Sequence, residues 1–336
     1  TGISFGMNLI STGTLTTDDY AVYNTVGAPP VTGTTPVLTS RVAGQSLYDT
    51  AIEVSRAFTP GVSRAYVAFG GNFPDALGAS AAAAHFGAPL LLTPTDSLAN
   101  GLAAELTRLN PTQIVVVGGN LVVSNAVFAQ LQAIAPTTRV AGNDLYATSR
   151  AIALDAFGTG GATTAYLATG AGFADASAAA PAAAHFNAPV IVVRGTDSNI
   201  DAATGATLTT LGVTTVKIAG GNIVMSTAME NALRTRPGTT VQRHWGQSQY
   251  DTAAAINLDA FATSATVHLA VGTNFPDALV GSALAASRNA PLYLTPTACL
   301  EQGARAGITR LGATQVVLVG GPLVLSAAVA NLTPCS

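Results

Sequence analysis

The chain repeats one pattern of about one hundred residues three times, and this triplication constrains its fold more than any other feature. In each copy an apolar strand ends in glycine, and an aspartate follows within a few residues; these aspartates are Asp75, Asp175 and Asp277. A repeat of this length can bury a small core of its own, unlike the roughly 20- to 50-residue units of solenoids. The sequence therefore predicts three similar domains, which favour multivalent binding over a single catalytic pocket.

Each copy alternates short apolar strands with helical stretches. In the first copy the predicted strands are 65–69, 90–93 and 114–117, and the predicted helices are about 51–58, 75–85 and 99–109, with a last helix from about residue 124. Strands that are apolar on both faces and alternate with helices are typical of a parallel sheet covered on both sides. We therefore predict an α/β fold in which helices sandwich a parallel β-sheet in each copy.

The spacing divides the chain into an N-terminal arm and three repeats. The arm spans residues 1–40, and the repeats span 41–138, 139–242 and 243–336. The arm is rich in Thr, Ser, Gly, Asn and Pro and has no helical period. We expect it either to lie on its own domain or to add a strand to a neighbouring subunit, which would support self-assembly.

Composition excludes several classes of function. Charged residues make up 9% of the 336 residues, against roughly 25% in a typical soluble domain, and the formal net charge is −3. This balance argues against a basic surface for nucleic acid. No apolar run is long enough to predict a membrane span. Because the chain begins at Thr1 without a charged leader, we expect a processed form or a fragment whose signal peptide is gone.

The two cysteines, Cys299 and Cys335, both lie in the third repeat. One interpretation is a disulfide that ties the C-terminal tail to its own domain, which would indicate an oxidising compartment. The alternative is two unrelated free thiols. The low charge and the high threonine content favour the disulfide and an extracellular location.

Four short motifs recur in order within the copies. In the first copy they are Arg41-Val42-Ala43-Gly44 followed by Tyr48-Asp49-Thr50-Ala51, then Asn72-Phe73-Pro74-Asp75-Ala76-Leu77, Ala88-Pro89-Leu90-Leu91-Leu92-Thr93 and Val116-Val117-Gly118-Gly119. Together they resemble the type 2 cell-wall-binding repeat of Gram-positive surface proteins, over about residues 41–336. The family usually has an arginine directly before the tyrosine, whereas this chain has Leu47, Leu145 and Gln249. This departure implies that the polymer differs or that the surface has another use.

The resemblance implies three small Toprim-type domains around a pseudo-threefold axis. It also implies a secreted protein, located at the cell wall or cell surface, that binds an anionic secondary cell-wall polymer non-covalently. From this we predict a non-enzymatic envelope protein without a cofactor, whose polymer lies in the grooves between modules. The alternative is a self-assembling subunit of a surface layer or filament that uses residues 1–40 as connector.

The candidate polymer-binding residues recur at equivalent positions. Asp75, Asp175 and Asp277 follow a strand at the start of a helix, where a carboxylate either caps the helix or faces a ligand at the carboxyl edge of the sheet. Arg41, Arg139 and Arg243 open the repeats. They either form an inter-module salt bridge or hydrogen bonds to backbone carbonyls, or clamp a phosphate or carboxylate of the polymer. Thr93 and Thr295, which end the same strand in two copies, complete the set.

Other motifs favour structural roles over chemistry. His85 and His185 are equivalent but have no second ligand at metal spacing, so we predict no metal site. Trp245, the only tryptophan, could stack on a sugar, although packing in the core or an interface is favoured. No Ser/His/Asp or Cys/His set recurs, and we predict no catalytic residues.

Overall fold

A computed structural model describes residues 37–335, which form three four-stranded parallel sheets with helices on both faces. The first copy contains β1 Leu38–Val42, α1 Leu47–Ser55, β2 Arg64–Phe69, a 3-10 turn Pro74–Ala76, α2 Ala79–His85, β3 Leu90–Thr93, α3 Leu102–Leu109, β4 Gln113–Val117 and α4 Asn125–Gln132. The second contains β5 Thr137–Val140, α5 Leu145–Phe157, β6 Thr164–Thr169, α6 Ala174–His185, β7 Val190–Val193, α7 Ala202–Thr210, β8 Thr215–Ala219 and α8 Thr227–Arg234. The third contains β9 Thr240–His244, α9 Gln249–Ala260, β10 Thr266–Val271, α10 Phe275–Ser287, β11 Leu292–Thr295, α11 Gln302–Leu311, β12 Gln315–Val319 and α12 Ala327–Ala330.

The predicted α/β architecture with parallel sheets is confirmed. The central strands β2 and β4 are buried on both faces, because helices cover both sides of each sheet. The helix predicted over 75–85 is interrupted in the first copy, where Gly78 separates the 3-10 turn from α2. Glycine weakens a helix interior by roughly 1 kcal/mol relative to alanine, whereas Ala178 and Val280 stand at this position in the continuous helices α6 and α10.

The sheets do not coincide with the repeats along the chain. Their strand orders are β3-β2-β4-β5, β7-β6-β8-β9 and β1-β12-β10-β11. The strand that opens the second repeat, β5, therefore completes the sheet of the first, and β9 completes the sheet of the second. The first strand, β1, pairs with β12 and completes the sheet of the third repeat, with Arg41 opposite Leu318. This exchange closes the three copies into a ring.

The three copies meet on a pseudo-threefold axis. Helices α2, α6 and α10 pack against one another there, since their alanine-rich faces allow a close approach. At one end of these helices the rings of Phe73, Phe173 and Phe275 form a triangle with centroids 5.7–6.4 Å apart. The Phe of each Asp-containing motif is thus a contact between copies.

At the other end of the central helices, histidine and asparagine side chains join neighbouring copies. Nδ1 of His85 lies 2.7 Å from Oδ1 of Asn187, and Nδ1 of His185 lies 2.7 Å from Oδ1 of Asn289. The third joint has Ser287 and Gly87 at the equivalent positions. These histidines therefore serve contacts between copies, and residues 37–335 contain no group of three or more His, Cys, Asp or Glu that could hold a metal ion.

The predicted disulfide is confirmed, and Cys299 is bonded to Cys335. The bond fixes the C-terminal segment beside the loop after β11, where the amide of Leu300 also donates to the carbonyl of Thr333. Of the arm predicted over 1–40, residues 38–40 belong to β1, and residues 1–36 lie outside the described part of the chain. Self-assembly through the arm stays a prediction. No helix within 37–335 is long and apolar enough to cross a membrane.

Candidate functional site

A groove opens at the carboxyl end of the second sheet. In the order β7-β6-β8-β9 the chain leaves β6 toward β7 on one side and returns to β8 on the other, so the helices after β6 and β8 diverge. Open α/β sheets bind their ligands at such a switch point. The cavity measures about 520 Å³ and is lined by parts of segments 169–175, 221–224 and 245–252. Because β9 opens the third repeat, the groove is built from two repeats.

The same three kinds of loop meet at the ends of the other two sheets. We call the region between the loops after β2, β4 and β5 the first groove, the cavity just described the second groove, and the region between the loops after β10, β12 and β1 the third groove. The third groove exists only because β1 returns to β12. Three grooves are therefore formed only when the ring of copies is closed.

Each candidate aspartate is pressed against the glycine that ends a neighbouring strand. A methyl group built on Gly118 would lie 3.0 Å from Oδ2 of Asp75, and one built on Gly220 would lie 2.7 Å from Oδ2 of Asp175. Asp277 would collide in the same way with a side chain at Gly320. These glycines also have φ between +100° and +121°, a region that other residues rarely adopt. The double-glycine motif thus makes room for the carboxylate at the groove.

Burial alters the acidity of these carboxyls. It raises the pKa of Asp175 and of Asp277 to about 6, and for Asp277 the nearby Arg41 charge opposes the rise. Burial also raises the pKa of Asp75, although a hydrogen bond from Thr148 opposes this rise. Desolvation is the leading cause in all three cases.

The aspartates do not occupy the N-cap positions, which hold Phe73, Phe173 and Asn274. They lie inside the first turn, where a carboxylate still faces the positive end of the helix dipole. A carboxyl that is partly desolvated at the edge of a groove is a candidate for ligand binding. Contact with a polymer stays a prediction for Asp75, Asp175 and Asp277.

The three arginines donate hydrogen bonds within the protein. Arg41 donates to the carbonyl oxygens of Gly320 at 2.5 Å and Leu325 at 2.7 Å, and Arg139 donates to that of Gly118 at 2.8 Å. Arg243 donates to the carbonyl of Gly220 at 2.7 Å. Of the two alternatives for these residues, the internal one is observed, since each arginine holds the glycine beside a groove aspartate. A direct clamp on polymer stays a prediction.

The two candidate threonines lie below the surface. Thr93 and Thr295 are fully buried. Their hydroxyls donate to the carbonyls of Ser97 at 3.0 Å and Cys299 at 2.7 Å. Each hydroxyl therefore stabilises the turn after its strand. Polymer contact stays a prediction for both, and their burial does not support it.

Sequence reasoning missed three exposed apolar side chains, one beside each groove. Leu121, Ile223 and Leu323 are 88%, 86% and 92% exposed, and each stands two residues after a double glycine. Apolar groups left in water at equivalent positions of three copies indicate an interaction surface. The recurring pattern Gly-Gly-x-(Leu or Ile)-Val was the available signal. We call these residues the aliphatic tips.

Trp245 also lines the second groove. Its side chain is 48% exposed, so it does not pack in the core, whereas packing in an interface and stacking on a sugar stay predictions. It follows β9 directly, on the loop that closes the groove from the side of the third repeat. From the sequence alone, a position of Trp245 in the lining of a groove could not be distinguished from one in an interface between domains.

Comparison with known proteins agrees with this architecture. Residues 41–128, 139–230 and 243–330 each match the family described as cell wall binding domain 2. The chain belongs to this family. Membership indicates that the chain binds the cell wall and is located at the wall or the cell surface.

Individual relatives match most of this chain but only part of their own length. The chain is 29% identical to the N-acetylmuramoyl-L-alanine amidase LytC of Bacillus subtilis (strain 168), over 87% of this chain and 57% of LytC. It is 28% identical to the Amidase enhancer of the same organism, over 90% of this chain and 41% of that protein. The chain thus spans about half the length of these relatives.

Two solved structures from Clostridium difficile are also similar. Cwp8 superposes with a TM-score of 0.77 at 29% identity, over 88% of this chain and 51% of the Cwp8 chain. Cwp6 superposes with a TM-score of 0.81 at 22% identity, over 93% of this chain and 51% of the Cwp6 chain. At this identity the likeness to Cwp6 concerns the fold alone.

Proposed function

We propose that this chain is a secreted, non-enzymatic anchoring unit that binds an anionic polymer of the cell wall non-covalently through its three grooves. The observation that supports this most directly is an arrangement of residues that occurs in all three copies. Each copy has a partly buried aspartate, a double glycine and an aliphatic tip at the same edge of its sheet. Three weak sites on one rigid body give strong retention without any single tight site.

The charged groups suggest how such a polymer is held. Arg41, Arg139 and Arg243 already donate to backbone carbonyls, so the acidic groups of the polymer are not their main partners. The aliphatic tips can instead cover the apolar faces of sugar rings, which lose contact with water on binding. We infer that the grooves bind the sugar units and that the acidic groups stay at the solvated rim.

Retention on purified cell wall tests the proposal. The triple variant Leu121→Ser, Ile223→Ser, Leu323→Ser should lose most of its retention, because each groove loses an apolar contact. The matched control is Leu258→Ser, which alters an apolar side chain 61% exposed on α9 but outside the residues that line the second groove. Unchanged retention of the triple variant would contradict the role of the grooves.

A second retention experiment tests the class of polymer. Wall from which acidic polymers have been extracted should retain much less of the unaltered protein than intact wall does. Full retention on extracted wall would contradict an anionic polymer while leaving wall binding itself in place. Amidase activity should be absent in the same preparation, and release of peptide from the glycan would contradict the non-enzymatic assignment.

A further inference from the structure

The second groove has a large aromatic side chain where the other two have a small one. Trp245 follows β9, whereas Ala141 and Ala43 follow β5 and β1 at the equivalent positions. A side-chain carbon built on Gly221 would lie 3.4 Å from Cε3 of Trp245, so the indole rests against the backbone of the loop after β8. This contact fixes one part of the ring system, while about half of the side chain stays open to solvent. A rigid, partly exposed indole in a concave site is a platform for a flat apolar face.

The remaining lining combines apolar side chains with a few polar ones and is almost without charge. Asn222 and Gln247 are exposed amides on two different lining segments, and each has both a donor and an acceptor. The lining contains no Lys, Arg or His, and its only ionisable group is Asp175. Arg243, on the strand that leads to Trp245, is engaged with the carbonyls of Gly220 and Met225 and with Glu230.

This combination selects against an acidic ligand group. A carboxylate or phosphate in the cavity would lose water, meet no cation and face the carboxyl of Asp175. A sugar hydroxyl, in contrast, can donate to that carboxyl and exchange hydrogen bonds with the amides. The apolar face of a pyranose ring matches the indole. The volume of about 520 Å³ lies within the range of small-ligand sites.

We propose that the second groove binds an uncharged pyranose unit of the wall glycan, stacked on Trp245 and hydrogen-bonded to Asn222, Gln247 and Asp175. This inference rests on the proposed function and assigns a ligand class to one of its grooves. It makes the three grooves unequal, since the first and third have alanine in place of the indole.

Trp245 is the only tryptophan of the chain, so its fluorescence reports on this groove alone. The full chain is titrated with the methyl glycosides of glucose, galactose, mannose and N-acetylglucosamine, and with glucuronate and galacturonate. At least one uncharged glycoside should shift the emission with millimolar affinity, and the matching uronate should bind at least about tenfold more weakly. No shift with any uncharged glycoside up to 100-fold above about 1 mM, or equal binding of a uronate, would overturn the proposal.

Wall retention separates this proposal from the proposed function. Trp245→Ala should reduce retention several-fold, Trp245→Phe should reduce it less, and adding Ala141→Trp to Trp245→Ala should restore part of it by giving the first groove an indole. Retention of the unaltered chain on wall tests the proposed function by itself. Full retention by Trp245→Ala, with its circular dichroism unchanged, would overturn the pyranose site and leave the anchoring role standing.

Discussion

The guanidinium of Arg41 donates to the carbonyl oxygen of Gly320 at 2.5 Å, across 279 positions of the sequence. The same arginine lies on β1, the strand that completes the third sheet, and its pKa is lowered by burial despite the nearby carboxylate of Asp277. One side chain thus joins the first repeat to the third and positions the glycine beside a groove aspartate. The anchoring surface depends on this closure.

Loss of Arg41 should open the ring. Arg41→Ala removes two hydrogen bonds from a buried charged group and leaves two carbonyls without donors, so the free energy of unfolding should fall by about 2–4 kcal/mol. Urea denaturation followed by circular dichroism measures this change. Arg139→Ala is the matched control and should lower the free energy of unfolding by less, since the Arg139 side chain is more exposed and donates to one carbonyl. Equal losses would contradict a special role of Arg41 in closure.

Reduction of the disulfide should loosen the third domain. Cys299 and Cys335 are separated by 36 positions, and a loop of this size corresponds to about 3–4 kcal/mol of stabilisation in the chain-entropy description. Cys299→Ser with Cys335→Ser should therefore lower the thermal midpoint, and a reducing agent should have the same effect on the unaltered chain. A reducing agent that shifts the midpoint of the double variant would show that the effect is not due to this bond.

The groove aspartates should make stability fall as pH rises. The pKa of Asp175 is about 6 in the folded chain and near 3.8 when unfolded, so the folded state binds the proton more tightly. The resulting stabilisation is complete below about pH 4 and is lost as pH rises through 6. Asp175→Asn should remove this dependence and raise stability at pH 7 by up to about 3 kcal/mol, as measured by urea denaturation at a series of pH values.

Asp277→Asn is the matched comparison for Asp175→Asn. In the unaltered chain the pKa of Asp277 is raised to about 6, like that of Asp175, but the charge of Arg41 favours the ionised form of Asp277. The substitution leaves buried Arg41 without this nearby charge, so the gain in stability at pH 7 should be smaller. An Asp175→Asn variant whose stability follows the same pH profile as the unaltered chain would contradict the assigned acidity.

The third joint between copies can be strengthened by completing its pair of side chains. Ser287→His together with Gly87→Asn recreates the histidine–asparagine contact seen at the other two joints. Gly87 has φ of +59°, a conformation that Asn187 and Asn289 adopt in their copies. The free energy of unfolding should rise by about 0.5–1 kcal/mol in the double variant. The effects of the two single variants should sum to less than this rise. Strict additivity in a double-mutant cycle would show that the pair does not form.

The sequence was most informative about local structure. Apolar runs such as Leu90–Thr93 predicted buried parallel strands because both faces of a covered sheet are apolar. The exchange of strands between repeats was not predictable, since the half-buried segment Thr137–Val140 has no pattern that names its partner strand. The sequence likewise left the arginines undecided between a carbonyl and a ligand, because a guanidinium group can donate to either.

The exposed residues of the grooves were harder to predict than the core. An apolar side chain is normally expected inside, so Leu121 was not singled out and packing was favoured over sugar stacking for Trp245. Their exposure follows from loops that leave the ends of β4 and β9, and those loops take their positions from the ring. Only the recurrence of the aliphatic tips in all three copies could have marked them in advance.

Hydrogen exchange of the full chain, with and without soluble fragments of wall polymer, tests most directly whether three like grooves bind the wall. We expect slower exchange in 118–123, 220–225 and 320–325, at the carboxyl ends of the sheets. Exchange in 59–63, 160–163 and 262–265, at the opposite ends, should not change. Protection confined to the opposite ends, or to one copy alone, would contradict binding of the wall by three like grooves.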